Sequence, residues 1–330
     1  MQAKRHICLV SNQPVPSLTA LIDNSMAAQE VLLVCAKDRS NDAGWLRDAL
    51  KQYDIHSEIY QLNDGFDLSS CRQDFQAIAE RHPQGVIANI TGGTKIMTIA
   101  AWEVFSRDHD SLYYVDIRHD SISWLRPIQP PSLVADKVKI KPYLISLGMS
   151  ILDGNIHVIP ISDHERKNFK TQVGKLLRLG TAESSTDETK GGHWLEHFVY
   201  DEISKISAED KHIQEVATGF KIYFTQSENQ VENELDVMCL RDNTAYIFEC
   251  KTGKAGVRGE ATKAIYKLAQ LCDQLAGKRG RGVFVTSEVL SAVVLERAMQ
   301  LHIDVIHRRD LPVIQERLRK IFTARHFDVD

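Results

Sequence analysis

Two acids and a lysine in the C-terminal half stand where packing alone does not explain them. Asp236 interrupts the apolar run of Leu235, Val237 and Met238. Glu249 and Lys251 flank Cys250 at the end of a second run, Ala245-Tyr246-Ile247-Phe248. The polar stretch Arg241-Asp242-Asn243-Thr244 between the runs has the composition of a turn, so the two read as a β-hairpin. Side chains alternate across a strand, which puts Glu249 and Lys251 on one face and Phe248 and Cys250 on the other; Glu234 and Asp236 share a face in the same way. Strand pairing can then set Asp236 beside Glu249. Two carboxylates suit a hard divalent cation, Mg²⁺ or Mn²⁺, and a lysine beside them suits an attacking water, which together is equipment for cutting phosphodiesters. A Glu-X-Lys repeat on its own also fits a cross-strand ladder of ion pairs.

A third acid lies upstream on a stretch of helical spacing, Glu196 within His193-Trp194-Leu195-Glu196-His197-Phe198-Val199. The helix glutamate, the hairpin aspartate and Glu249-Cys250-Lys251, in that order, resemble the PD-(D/E)XK nuclease superfamily. The resemblance implies a metal held by Asp236, Glu249 and the backbone carbonyl of Cys250, with Glu196 completing or extending its shell. It implies that Lys251 orients the attacking hydroxide and steadies the charge developing on phosphorus. His193 and His197 are four apart but without a glutamate in the zincin position, so they read as packing, surface or substrate-contact residues.

The elements around this hairpin follow from the spacing. A strand is expected near Phe220-Lys221-Ile222-Tyr223, and a helix from about Lys254 to Leu275 with Ile265, Leu268, Cys272 and Leu275 on its apolar stripe. Its polar stripe, Lys263, Lys267, Gln270 and Gln274, faces phosphate or water. A core strand over residues 283–285, a helix over 289–301, a strand over 303–306 and a closing helix from Leu311 complete a restriction-endonuclease-like α/β core.

The N-terminal half alternates strands and helices. Apolar runs at residues 6–10, 31–36, 55–62, 85–90 and 112–117 read as strands, and Asp67 can cap a helix burying Leu68, Cys71, Phe75 and Ile78. That order implies a parallel sheet covered on both faces, a Rossmann-like arrangement. Between the last two strands lies Thr91-Gly92-Gly93-Thr94-Lys95, at a strand end and a helix start. Its glycines allow close backbone approach, the helix terminus attracts phosphate, and a hydroxyl and a charge follow. A ligand-free tight turn explains the same stretch.

This turn, together with the Ser11-Asn12-Gln13-Pro14-Val15-Pro16 loop after the first strand, resembles the CARF domain, the CRISPR-associated Rossmann-like sensor. CARF followed by PD-(D/E)XK resembles the two-domain ancillary nucleases of type III CRISPR systems. What the resemblance implies is a two-fold homodimer that binds a cyclic oligoadenylate, often the tetra-adenylate, and thereby activates cleavage of DNA or RNA. Ser11, Asn12 and Gln13 would line the ligand's edge, and Thr91, Gly92, Gly93, Thr94 and Lys95 would cradle its backbone. A two-fold axis presents one patch twice, which matches a ring of repeated units.

At 330 residues the chain can bury two cores. The expected division is a CARF domain over residues 1–150, a bridge over 151–190 and a nuclease domain over 191–330. From residue 121 to 161, strand-like pieces near residues 123–125 and 138–140 are broken by prolines, in a region expected to finish the sensor sheet and then become the bridge, and residues 181–192 read as a mobile loop. No apolar run is long enough to span a membrane, no signal-peptide pattern opens the chain, and the six scattered cysteines read as reduced core residues, so a cytoplasmic protein is expected. A net charge of −4 argues against coating nucleic acid by bulk electrostatics, leaving a local groove from Lys251, Lys254, Arg258, Lys263 and Lys267, or from Lys278, Arg279 and Arg281. An ungated restriction or repair nuclease, and a nucleotide-sensing regulator without catalysis, remain alternatives.

Overall fold

The structure, a computed structural model, describes residues 5–117, 119–134, 138–154, 156, 159–179, 193–226, 231–252, 259–276 and 280–324. The chain divides into two compact units, Met1–Ser150 and Ile151–Asp330.

The first unit is built on strands β1 (Arg5–Leu9), β2 (Glu30–Cys35), β3 (His56–Gln61), β4 (Val86–Asn89), β5 (Ser111–Asp116), β6 (Ser121–Arg126) and β7 (Ser132–Leu133), in the order β3-β2-β1-β4-β5-β6-β7. The first five are parallel, and β6 and β7 add antiparallel strands at one edge. The helices are α1 (Val15–Ile22), α2 (Ser40–Leu50), α3 (Leu68–Arg81), α4 (Lys95–Val104) and α5 (Ile140–Ser146). Nearly continuous apolar strands such as Val31-Leu32-Leu33-Val34-Cys35 are buried on both faces, as a parallel sheet demands. Asp67 caps α3 as its position suggests, its carboxylate accepting from Ser70 N–H at 2.7 Å.

Two expectations need correction, both at prolines. The loop read over residues 11–16 is cut short because α1 begins at Val15, with Pro14 at its N-cap and Pro16 in its first turn, where a missing N–H leaves nothing unpaired. The strand expected over residues 138–140 is instead the approach to α5, which carries Pro142 in its first turn for the same reason.

The second sheet comprises β8 (Met149–Ile151), β9 (Ile213–Phe224), β10 (Glu232–Arg241), β11 (Thr244–Lys251), β12 (Arg281–Thr286) and β13 (Ile303–Ile306) in the order β13-β12-β11-β10-β9-β8. Helices α6 (Asp163–Leu179), α7 (His193–Glu209), α8 (Glu260–Ala276), α9 (Ala292–Gln300) and α10 (Ile314–Thr323) accompany them. One face of the sheet, with Val237, Cys239, Phe248 and Cys250, joins a core containing Leu195, Phe198 and Val199 of α7 and Phe322 of α10. The same core takes Phe169, Val173 and Leu176 of α6, so residues 163–179, read as part of a bridge, pack as a structural helix of the second unit. The loop expected over 181–192 lies outside the described residues, as do Lys254, Arg258, Lys278 and Arg279. No described helix is long and apolar enough to cross a membrane.

Candidate functional sites

The hairpin forms as its turn composition predicts. Arg241 pairs with Thr244, and the two residues between them, Asp242 and Asn243, take φ of 47° and 57°. Such left-handed pairs give a tight turn whose twist matches the strands. The β10–β11 ladder then runs to Val237–Phe248 and ends. Beyond that pair the strands part, and Asp236 and Glu249 stand at the fork.

On its other side β10 pairs with β9, Leu235 facing Phe220 and Val237 facing Thr218, so Asp236 stands opposite Gly219. Gly219 has φ +61°, a left-handed conformation in the middle of a strand. A side chain there would have open space, so the backbone conformation alone calls for glycine. Next to it the buried Thr218 hydroxyl donates to the Asp236 carbonyl at 2.8 Å. The Asp236 carboxylate in turn accepts from Cys250 N–H at 2.7 Å, a side-chain acceptor beyond the end of the ladder. Asp236 is thereby fixed from both neighbouring strands.

Lys251 closes the group. Its Nζ lies 2.6 Å from Glu249 Oε1 and 3.7 Å from Asp236 Oδ2, so both carboxylates face one ammonium. Asp236 and Glu249 are buried, whereas the Lys251 side chain is 36% exposed, which opens the group to solvent at the lysine. Burial and then the charge of Glu249 raise the Asp236 pKa to about 7, with Glu196 adding to the shift and Lys251 opposing it. Burial works against the Lys251 ammonium, but Asp236 and Glu249 outweigh it and hold its pKa above the ordinary lysine value.

The donor set fits a hard divalent ion: two buried, mutually repelling carboxylates whose charge a cation would offset. Cys250 does not add a thiolate, because burial drives its thiol pKa far up. Its backbone carbonyl is the only donor it offers. Glu196 lies in the first turn of α7, 3.2 Å from His193 Nδ1, and this contact is the main reason the His193 pKa is raised. The charge of Glu196 also reaches Asp236 and adds to the rise of its pKa, while among the described residues no three His, Cys, Asp or Glu side chains form a ready-made metal cluster.

The second site is at the carboxyl ends of the parallel strands. The chain builds β1, β2 and β3 in one direction and then returns to β4 on the other side of β1, which makes the β1–β4 boundary the switch point where such sheets bind ligands. There Gly93 N–H donates to Val10 O at 3.1 Å. A Cβ on Gly92 would lie 2.1 Å from Leu9 O, so this close crossing admits only glycine. Gly93 itself has φ +78°.

Both threonines of this turn are already engaged. Thr91 donates its hydroxyl to Asn89 Oδ1 and accepts from Val115 N–H at 2.8 Å. Thr94 caps α4, accepting from Met97 N–H at 3.1 Å, and donates to Gly65 O at 2.7 Å. Ser11, Asn12, Gly93 and Thr94 line a cleft here, joined by Asp38, Arg39 and Phe66 from the loops after β2 and β3. Gln13, Thr91, Gly92 and Lys95 are not among its lining residues; Lys95 is exposed in the first turn of α4. A larger hollow over residues 21–24, 27–29 and 53–55 opens at the other end of β2 and β3 and holds none of the predicted residues.

Sequence reasoning passed over Thr218, Gly219, Asn89, Arg39 and Phe66. A glycine inside a strand pattern is the one available signal for Gly219, because it often marks a kink. The others are visible only once distant loops are brought together.

Comparison with known proteins supports both halves. Residues 5–143 match the family model for the Card1 CARF domain, and residues 185–325 match that for the Card1-like endonuclease domain. No curated protein matches the chain. Protein VC1899 from Vibrio cholerae shares the fold with a TM-score of 0.81 at 21% identity, over 97% of this chain and 98% of that one. Can2 from Sulfobacillus thermosulfidooxidans, solved in complex with cyclic tetra-adenylate, gives 0.79 at 22% identity, over 98% and 100%. A type III CRISPR defence DNA nuclease activated by cyclic oligoadenylate gives 0.67 at 18% identity, over 87% of this chain and 45% of its own. At these identities the likeness is one of fold. With a Card1 CARF domain followed by a Card1-like endonuclease domain, the chain belongs to the Card1-like family of CARF-domain endonucleases.

Proposed function

We propose that this protein is a divalent-metal-dependent nuclease, switched on by a cyclic oligoadenylate at its CARF domain and acting in type III CRISPR defence. The observation that carries the catalytic half is the meeting of Asp236, Glu249 and Lys251 at the hairpin fork. Asp236, Glu249 and the Cys250 carbonyl would hold Mg²⁺ or Mn²⁺, with Glu196 extending the shell. Such an ion supplies Lewis-acid polarisation of a phosphate oxygen and a more acidic water.

The chain's own groups supply the rest. Asp236 and Glu249 orient through the strands that carry them, and the Cys250 N–H bond keeps the Asp236 carboxylate turned into the fork. Lys251 remains protonated through neutral pH and presents a positive charge to the phosphate as it gains charge in the transition state. On the regulatory side, the crossing at Gly92 and Gly93 and the adjacent start of α4 with Lys95 suit a phosphate backbone. A homodimer would present this patch twice to a ring ligand. Ligand must bind the active arrangement more tightly than the idle one to shift the balance.

Labelled DNA and RNA, single- and double-stranded, incubated with Mg²⁺ or Mn²⁺ and with cyclic tri-, tetra- or hexa-adenylate, test the reading. Cleavage that requires both a metal and one of the rings supports it. Full cleavage without any ring would favour an ungated nuclease, and no cleavage in any combination would favour a regulator without catalysis.

A further inference from the structure

The cleft at the switch point has two chemically different walls, and their difference assigns a role to a residue outside the glycine turn. One wall is the Gly93–Thr94 crossing at the start of α4, where the helix dipole favours an anion. The other wall carries Asp38, Arg39 and Phe66. Its arginine is committed: Arg39 lies 3.3 Å from Asp38 and 3.6 Å from Asp42, so this side offers phosphate no net positive charge. What it does offer is an aromatic ring. Phe66 lines the cleft and is 65% exposed, so the face of its ring is open to a ligand there.

The ring stands on a locked loop. Gly65 is pressed against the turn after β2, since a Cβ on it would come within 2.7 Å of the Ala36 Cβ. Its carbonyl accepts the Thr94 hydroxyl at 2.7 Å, and Phe66 N–H donates to Asp64 Oδ1 at 2.8 Å. Thr94, read from the sequence as a ligand contact, thus ties the anion-friendly turn to the loop that presents the ring. A nucleotide has one charged part and one flat aromatic part, and the walls match them in that order.

We propose that Phe66 is a stacking platform for a nucleobase of the ligand, while Gly93, Thr94 and the start of α4 face its phosphates. The proposal rests on the nucleotide-sensing reading above. Stacking on an exposed aromatic is rigid-body recognition by a π face, and removing such a ring weakens binding by about 5- to 150-fold.

Calorimetric titration of the full-length chain with cyclic tetra-adenylate tests it, using wild type, Phe66→Ala and Phe66→Trp. The expected result is binding by wild type, a loss in that range for Phe66→Ala, and retained binding by Phe66→Trp with quenching of the new indole's fluorescence. A melting curve unchanged from wild type shows that Phe66→Ala remains folded, as its exposure leads one to expect. If wild type binds and Phe66→Ala binds equally well, the stacking role is overturned and nucleotide sensing stands. If wild type binds neither this ring nor cyclic tri- or hexa-adenylate, the sensing reading falls and the stacking role with it.

Discussion

Asp236 shows how a residue's neighbours set its chemistry. Burial and the charge of Glu249 raise its pKa to about 7. Because this folded value exceeds that of the unfolded chain, the protonated acid's contribution to stability is full below about pH 4 and fades as pH rises through 7. Metal-free wild type should therefore lose melting temperature relative to Asp236→Asn between pH 5 and pH 8, as followed by thermal unfolding with a chelator present. Adding Mn²⁺ should raise the wild-type melting temperature more at pH 8 than at pH 5, since the ion competes with a proton for the same oxygens. Parallel melting profiles for the two proteins would contradict this account of Asp236. On the proposed role of Lys251, a charge presented to the phosphate in the transition state, Lys251→Ala should lower kcat by roughly 10²–10³ while substrate affinity changes little. Single-turnover rates and binding isotherms separate the two, and equal losses in both would assign Lys251 to binding instead. The Asp236–Glu249–Lys251 group was legible in the sequence because acids inside apolar runs violate the pattern around them. Thr218 was not, since a threonine in a strand violates nothing.

Elements explain why the acids converge. A parallel-edged core with one hairpin could have kept its ladder intact past Val237 and Phe248, burying Asp236 and Glu249 as an ordinary cross-strand pair. Instead Gly219 turns left-handed opposite Asp236, and the Thr218 hydroxyl takes the carbonyl of Asp236. Gly219→Ala should destabilise the protein by roughly 1–2 kcal/mol, the cost of a left-handed conformation for a residue with a Cβ. Thr218→Val should weaken Mn²⁺ binding, read by calorimetry without substrate, and Thr218→Ser should restore it. Equal affinity in Thr218→Val would reduce this threonine to packing. At this scale the sequence was most informative where period and punctuation agree, as in the hairpin turn, the Asp67 cap and the order of strands and helices. It misled at Pro14, Pro16 and Pro142, because a proline that ends a strand and one that starts a helix look alike until the next turn is known. α6 was hidden for another reason: its apolar residues, Phe169, Val173 and Leu176, make a narrow stripe on an otherwise polar helix.

At the scale of the whole molecule, a Card1 CARF domain and a Card1-like endonuclease domain share one chain with a net charge of −4. The overall balance gives no long-range pull on nucleic acid, so activity depends on what the local sites hold. Lys95, exposed at the start of α4, belongs to the sensing half. Lys95→Ala should raise the ring concentration needed for half-maximal cleavage while leaving Mn²⁺ affinity unchanged, and an unaltered activation curve would remove it from the ligand site. The most direct test of the account is the cleavage rate of labelled nucleic acid in Mn²⁺ by wild type and Glu249→Gln, each with and without cyclic tetra-adenylate. The account predicts cleavage by wild type only when the ring is present, and none by Glu249→Gln although it still binds the ring. Cleavage by Glu249→Gln at the wild-type rate, or by wild type equally with and without any ring, would contradict it.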